Sequence, residues 1–207
     1  MTAIASAFTS EGFVIGADGR QLGKNQKLLS ESSQKIFNFK YRHVDVAYAW
    51  CGETGAINES NEVLYDLYEI TRVGLQSAVQ LSGRQFASFM QQSCTGIYEG
   101  IIKSSVVRQI TNSDSLPESK ARMLLNGYFD GQPFMAEFHV RETERIRVQA
   151  ERVLMPIPTP TRNLFNGGAR QNKKYENVLP TTTLDALKLI SAYIQECIEV
   201  PTRIVLP

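Results

Sequence analysis

Two histidines and three cysteines are all that 207 residues offer a soft metal ion, and Cys51, Cys94 and Cys197 lie far apart with no Cys-x-x-Cys pair. That scarcity argues against a zinc centre and against a disulfide framework, and it fits a reduced, cytoplasmic setting. Charge of one sign is not in excess either: 22 Lys and Arg stand against 21 Asp and Glu, a formal net charge of +1. No general attraction to nucleic acid or to an acidic membrane surface is therefore expected. No apolar run approaches the roughly 18 residues a membrane helix needs. Met1-Thr2-Ala3-Ile4 puts no basic stretch ahead of an apolar core, so no signal peptide is expected. Internal repeats, low-complexity tracts and an interdomain linker are likewise missing.

What is present is ordinary for a folded chain: 43% hydrophobic and 21% charged residues, enough to bury a sizeable core. At about 150 residues per domain the length corresponds to roughly 1.4 domains, so a single domain over residues 1–207 is expected. Apolar runs at 2–8 and 12–18 flank Thr9-Ser10-Glu11-Gly12 and predict a hairpin of two strands covered on both faces. Residues 36–39 and 44–50 predict two more strands. From Asn61 to Val79 the spacing of Val63, Leu64, Leu67, Ile70, Val73 and Leu75 predicts a helix. Ser82-Gly83-Arg84-Gln85 has the form of a capping box for a second helix reaching Ile102, with Gly74, Gly96 and Gly100 weakening the pattern. Strands return at 123–129 and 134–140 around Asp130-Gly131, and at 145–155. Asn166-Gly167-Gly168 is expected to open a short polar helix, and Thr183 to cap a last one. Strands, helices, strands, helices in that order predict an α+β fold of antiparallel sheets with helix layers outside.

Removal of Met1 before so small a residue would leave Thr2 with its hydroxyl beside a free α-amine. A threonine hydroxyl needs a base within hydrogen-bond reach, and a terminal amine with a pKa of about 7.7–8 is one. Asp18 ends the second apolar strand; a hairpin centred near residue 10 places it beside Thr2. As an ordinary turn residue it would do nothing more. Lys35 enters the next strand; as a plain surface lysine it would be inert, but buried between Asp18 and the amine its charge would favour the neutral, basic amine. Gly52 ends the strand that holds Trp50 and serves either as a turn or as a backbone N–H aimed at an oxyanion.

Taken together, Thr2-Ala-Ile-Ala-Ser-Ala-Phe, Gly12-Phe-Val-Ile-Gly-Ala-Asp18-Gly-Arg20, Gln34-Lys35-Ile36 and Ala47-Tyr-Ala-Trp-Cys-Gly52 resemble proteasome β-type subunits and their bacterial homologues, which are N-terminal-nucleophile hydrolases. The steps of 16 residues from Thr2 to Asp18 and 17 from Asp18 to Lys35 are similar to the family's Thr, Asp, Lys series. The resemblance implies a four-layer αββα sandwich of two antiparallel sheets between helix layers. It implies hydrolysis of peptide bonds with Thr2, Asp18 and Lys35 catalytic and Gly52 as the oxyanion donor. It places Asn166-Gly167 where the family has a Ser-Gly-Gly turn. Glu199 and Thr202 fall where the family has an Asp-x-x-Ser-Gly element followed by further strand that this chain lacks. Trp50 falls where the family shapes the pocket for the residue before the cut, which would favour small or medium apolar side chains. No cofactor or metal is required by these steps. The implied partners are a peptide or unfolded-protein substrate, copies of the chain in stacked heptameric or hexameric rings, and an unfoldase or activator. A catalytically silent ring or scaffold subunit, and a small-molecule amidase of the same fold, are the alternatives.

Overall fold

The computed structural model describes residues 3–19, 21–22, 28–30, 34–52, 54–57, 63–104, 121–142, 146–155, 162–166, 169–175 and 177–199. The chain begins with strands β1 (Ile4–Thr9), β2 (Gly12–Ala17), β3 (Gln21–Leu22), β4 (Leu28–Ser30), β5 (Ile36–Tyr41) and β6 (Val44–Gly52). Two short strands, β7 (Gly55–Ile57) and β8 (Val63–Asp66), lead into helices α1 (Leu67–Ser82) and α2 (Phe86–Lys103). Then come β9 (Ala121–Phe129), β10 (Gln132–Glu142), β11 (Ile146–Leu154), β12 (Arg162–Asn166), α3 (Ala169–Tyr175) and α4 (Thr183–Glu199). They divide into two compact units, Met1–Ile36 with Pro158–Pro207, and Phe37–Ile157.

The first unit is built on a three-stranded antiparallel sheet in the order β12-β1-β2. Thr9 locks the two-residue turn Ser10-Glu11: its hydroxyl donates to the Gly12 carbonyl and accepts from the Glu11 N–H, both at 3.2 Å. β1 is buried along its whole length, whereas β2, an edge strand, is half-buried. α4 packs on both strands, with Ala186, Ile190 and Tyr193 set against Ala3, Ala5 and Ala7. A side chain at Gly16 would place its Cβ 2.4 Å from Ile190 Cγ2, so the close seat of the helix needs glycine there. The Glu11 carboxylate accepts the backbone N–H and the hydroxyl of Thr183, each at 2.9 Å, and ties the hairpin turn to the helix start.

The second unit carries a five-stranded antiparallel sheet in the order β11-β10-β9-β6-β5. Alternate residues of its strands face α1 and α2, as the two-residue period of a strand requires. Tyr48 and Trp50 of β6, Phe129 of β9, and Phe134 and Phe138 of β10 meet Leu67, Leu75, Phe89 and Ile97 of the helices. Each such large side chain contributes about 1.5–3 kcal/mol on burial. α1 and α2 approach backbone to backbone: a Cβ on Gly96 would stand 2.9 Å from Gly74 Cα, and one on Gly100 would stand 2.6 Å from Ile70 Cγ2. The three glycines that weaken the helical pattern in sequence are thus what lets the two helices touch.

The α+β class with two antiparallel sheets, each covered by helices, is the one expected from sequence. Four boundaries differ. Val63–Asp66 is a strand paired with Gly55–Ile57 and not the first turn of a helix. The break falls where Asp66, in extended conformation, accepts the N–H of Tyr68 at 2.8 Å and of Glu69 at 3.4 Å, a helix cap. Ser82 starts nothing: it is the last, buried residue of α1, Gly83 turns the chain at φ +57°, and α2 follows Gln85 with no side-chain cap. Residues 162–166 form β12, so Asn166 ends a strand instead of opening a helix. At α4 the capping hydroxyl belongs to Thr182, which accepts the Asp185 N–H at 3.1 Å, one residue before the expected Thr183. Among the described residues no helix is long and apolar enough to cross a membrane.

Candidate active site

The hairpin register decides what lies at the start of β1. Ile4 pairs with Ala17 and Thr9 with Gly12, so the pairing is centred between residues 10 and 11, half a residue beyond the expected centre. Asp18 therefore stands opposite Ala3 and not opposite Thr2, and its N–H donates to the Ala3 carbonyl at 2.9 Å, extending the ladder by one rung. Its side chain has left solvent: Asp18 is 2% exposed. A carboxylate withdrawn from water is costly unless partnered, so burial marks it out from a common turn aspartate. On the other side of β1, Ile4 pairs with Asn166. The sheet order thus brings Asp18 and Asn166 to flank the strand end at which the chain enters.

Lys35 lies half-buried just before β5. Met1, Thr2, Gly167 and Thr202 lie outside the described residues, and Glu199 is placed as the last residue of α4.

In the second unit, Gly52 ends β6, exposed, at φ +97°, a backbone conformation that favours glycine. The strand that delivers it is fixed by a buried chain of hydrogen bonds. The Trp50 indole N–H donates to the Thr71 hydroxyl at 2.9 Å, which in turn donates to the Leu67 carbonyl at 2.6 Å. Trp50 is 0% exposed. Its indole is core, with no surface to offer a substrate, so the expected narrowing of a pocket by that ring loses its basis.

Sequence reasoning missed the hydroxyls around this strand. Tyr48 donates to the Tyr68 carbonyl at 3.0 Å, and Tyr68 reaches the Trp50 carbonyl at 3.5 Å. Burial pushes the Tyr48 hydroxyl up to about 12 and raises that of Tyr68 as well, so both stay protonated donors. Phe37 packs on Tyr68 with ring centroids 4.5 Å apart. Aromatic spacing was visible in sequence, but nothing there pairs a strand tyrosine with one 20 residues later. Among the described residues no group of three His, Cys, Asp or Glu side chains is set to hold a metal ion.

No family model matches this sequence, and no curated protein matches it. Solved structures do. The chain is similar to a Gly-1 mutant of Anbu from Hyphomicrobium sp. strain MC1, with a TM-score of 0.58 and 11% identity, over 100% of this chain and 79% of that one. Anbu is a bacterial protein of proteasome-like N-terminal-nucleophile-hydrolase fold. The fold expected from the sequence motifs is the fold found.

Proposed function

We propose that this chain is an N-terminal threonine peptidase, with residues 1–207 forming one domain of the proteasome-like fold. Removal of Met1 frees the Thr2 amine, which takes the proton as the Thr2 hydroxyl attacks a peptide carbonyl. Lys35, held by Asp18, lowers the pKa of that amine, since a nearby like charge disfavours the ammonium form. The Gly52 N–H receives the developing oxyanion, and Asn166, Gly167, Glu199 and Thr202 support the nucleophile. Trp50 acts by fixing β6 and not by touching substrate. The single observation that carries this reading is Asp18: buried, and hydrogen-bonded to the residue that follows Thr2, on a fold shared with Anbu. Stacked hexameric or heptameric rings enclosing the sites, a cytoplasmic location and an unfoldase or activator partner belong to the same proposal. A chamber is physically sensible because an unselective peptidase must be kept from folded proteins.

Intact mass before and after treatment with a peptide epoxyketone tests it. Loss of Met1, one adduct per chain, and no adduct on Thr2→Ala are expected. Retention of Met1, with no adduct, sinks the peptidase and favours the silent ring subunit. An adduct that survives Thr2→Ala moves the nucleophile elsewhere.

A further inference from the structure

We propose that a depression at the turn end of the second unit binds a small organic anion, one carboxylate or phosphate group on an apolar or aromatic body. It is open to solvent and measures about 810 Å³, a volume suited to small molecules. Three tight connections converge on it: Arg42-His43 between β5 and β6, Gly83-Arg84 between α1 and α2, and Asp130-Gly131 between β9 and β10.

The lining charges are not evenly spent. Lys40 pairs with Asp45 and Arg84 with Asp130, so both aspartates are neutralised within the wall. Arg42 has no carboxylate partner among the described residues; its guanidinium lies 5.2 Å from the centre of the Tyr41 ring. The guanidinium also hydrogen-bonds the Tyr41 side chain, and with five N–H groups it has donors left for a planar or tetrahedral anion. His43 lines the same depression, and its Nε2 is buried without a hydrogen-bond partner. Val44, Val79 and Tyr128 supply the apolar wall that would receive the body of the ligand.

Two of these connections are two-residue hairpin turns, which take positive φ at their first residue. Arg42 (φ +53°) and Asp130 (φ +51°) are the non-glycine residues with positive φ among the described residues, and both line this depression. Aspartate tolerates that conformation readily, and Arg42 adopts it because the turn demands it. This site does not depend on the peptidase reading.

Calorimetric titration of the full chain with phenyl phosphate, benzoate and inorganic phosphate tests the proposal and tells the two headgroups apart. One saturable event per chain is expected, with phenyl phosphate or benzoate binding at least tenfold tighter than inorganic phosphate. Arg42→Asn keeps the left-handed turn while removing the cation, and it should weaken binding at least tenfold. Lys188→Gln, an exposed charge on α4, should leave binding unchanged. No saturable heat with any of the three probes, or an equal loss in the Arg42 and Lys188 variants, would overturn the site.

Discussion

The two units solve the same problem, a helix on a sheet, with opposite materials. In the second, large rings fill the space: Trp50, Tyr48, Phe89, Phe129, Phe134 and Phe138 are all buried in one core. In the first, the sheet offers Ala3, Ala5 and Ala7, and α4 answers with Ala186, Ile190 and Tyr193. Small side chains let the helix come close but bury little apolar area, so this unit leans on polar ties. Tyr193 donates to Asn172 at 2.6 Å, Lys174 pairs with Glu196, and Glu11 holds Thr183. The proposed nucleophile and its flanking Asp18 and Asn166 belong to the alanine-built unit. The strand end proposed to carry the chemistry is placed there by hydrogen-bond register, while the bulky core gives stability elsewhere.

That contrast can be broken from either side. The largest loss is expected for Gly127→Ala in the second unit. Gly127 sits at φ +155°, and an added Cβ would stand 2.2 Å from the Asp45 carbonyl, a backbone atom of β6 that cannot step aside. A loss of about 3 kcal/mol is expected, read as a drop of roughly 6–12 °C in melting temperature. Gly16→Val strikes the first unit, where the obstruction is the Ile190 side chain and α4 can shift. About 2 kcal/mol is expected, and native-state hydrogen exchange should show faster opening of β1 and β2 while β6 and β9 stay protected. Uniform acceleration across both sheets would mean that the units do not open separately.

Asp66→Ala removes the cap of α1 and should cost about 1 kcal/mol, read by denaturant titration. The smallest effect sharpens the contrast in polar ties. The backbone N–H and hydroxyl of Thr183 hold the Glu11 carboxyl below its usual value. The stabilisation is therefore whole above the unfolded carboxylate range near pH 4.3 and is lost as pH falls through the lowered value. In Glu11→Gln that part of the acid sensitivity should vanish from a melting series between pH 7 and 3. An unchanged acid profile would show that the turn-to-helix tie contributes nothing.

Much of the fold was legible because its signals are local. Apolar runs marked β1, β2, β6, β9 and β10, alternation marked β11, and Asp130-Gly131 marked a tight hairpin that forms as expected. Where a local pattern competed with pairing, pairing won: Val63–Asp66 carries helical spacing yet joins β7, because Asp66 caps the helix only after itself. Asn166 read as a helix opener because its strand partner, Ile4, lies far away in sequence. On β10, Glu137 and His139 approach at 2.9 Å. Burial would raise the Glu137 carboxyl, but His139, Arg152 and Arg122 outweigh it and leave it lowered. Sequence alternation gave no hint that these two side chains are buried.

The order of threonine, aspartate, lysine and glycine along residues 2–52 was settled by the sequence alone, because such spacings are properties of the chain and need no partner. So was the class of fold, since hydrophobic period is set by the geometry of a single strand or helix. Only the tertiary structure decided that Asp18 faces Ala3, that Asn166 flanks the same strand end, and that Trp50 is core. Those are matters of register and burial, and they arise only when segments distant in the chain exclude water from one another.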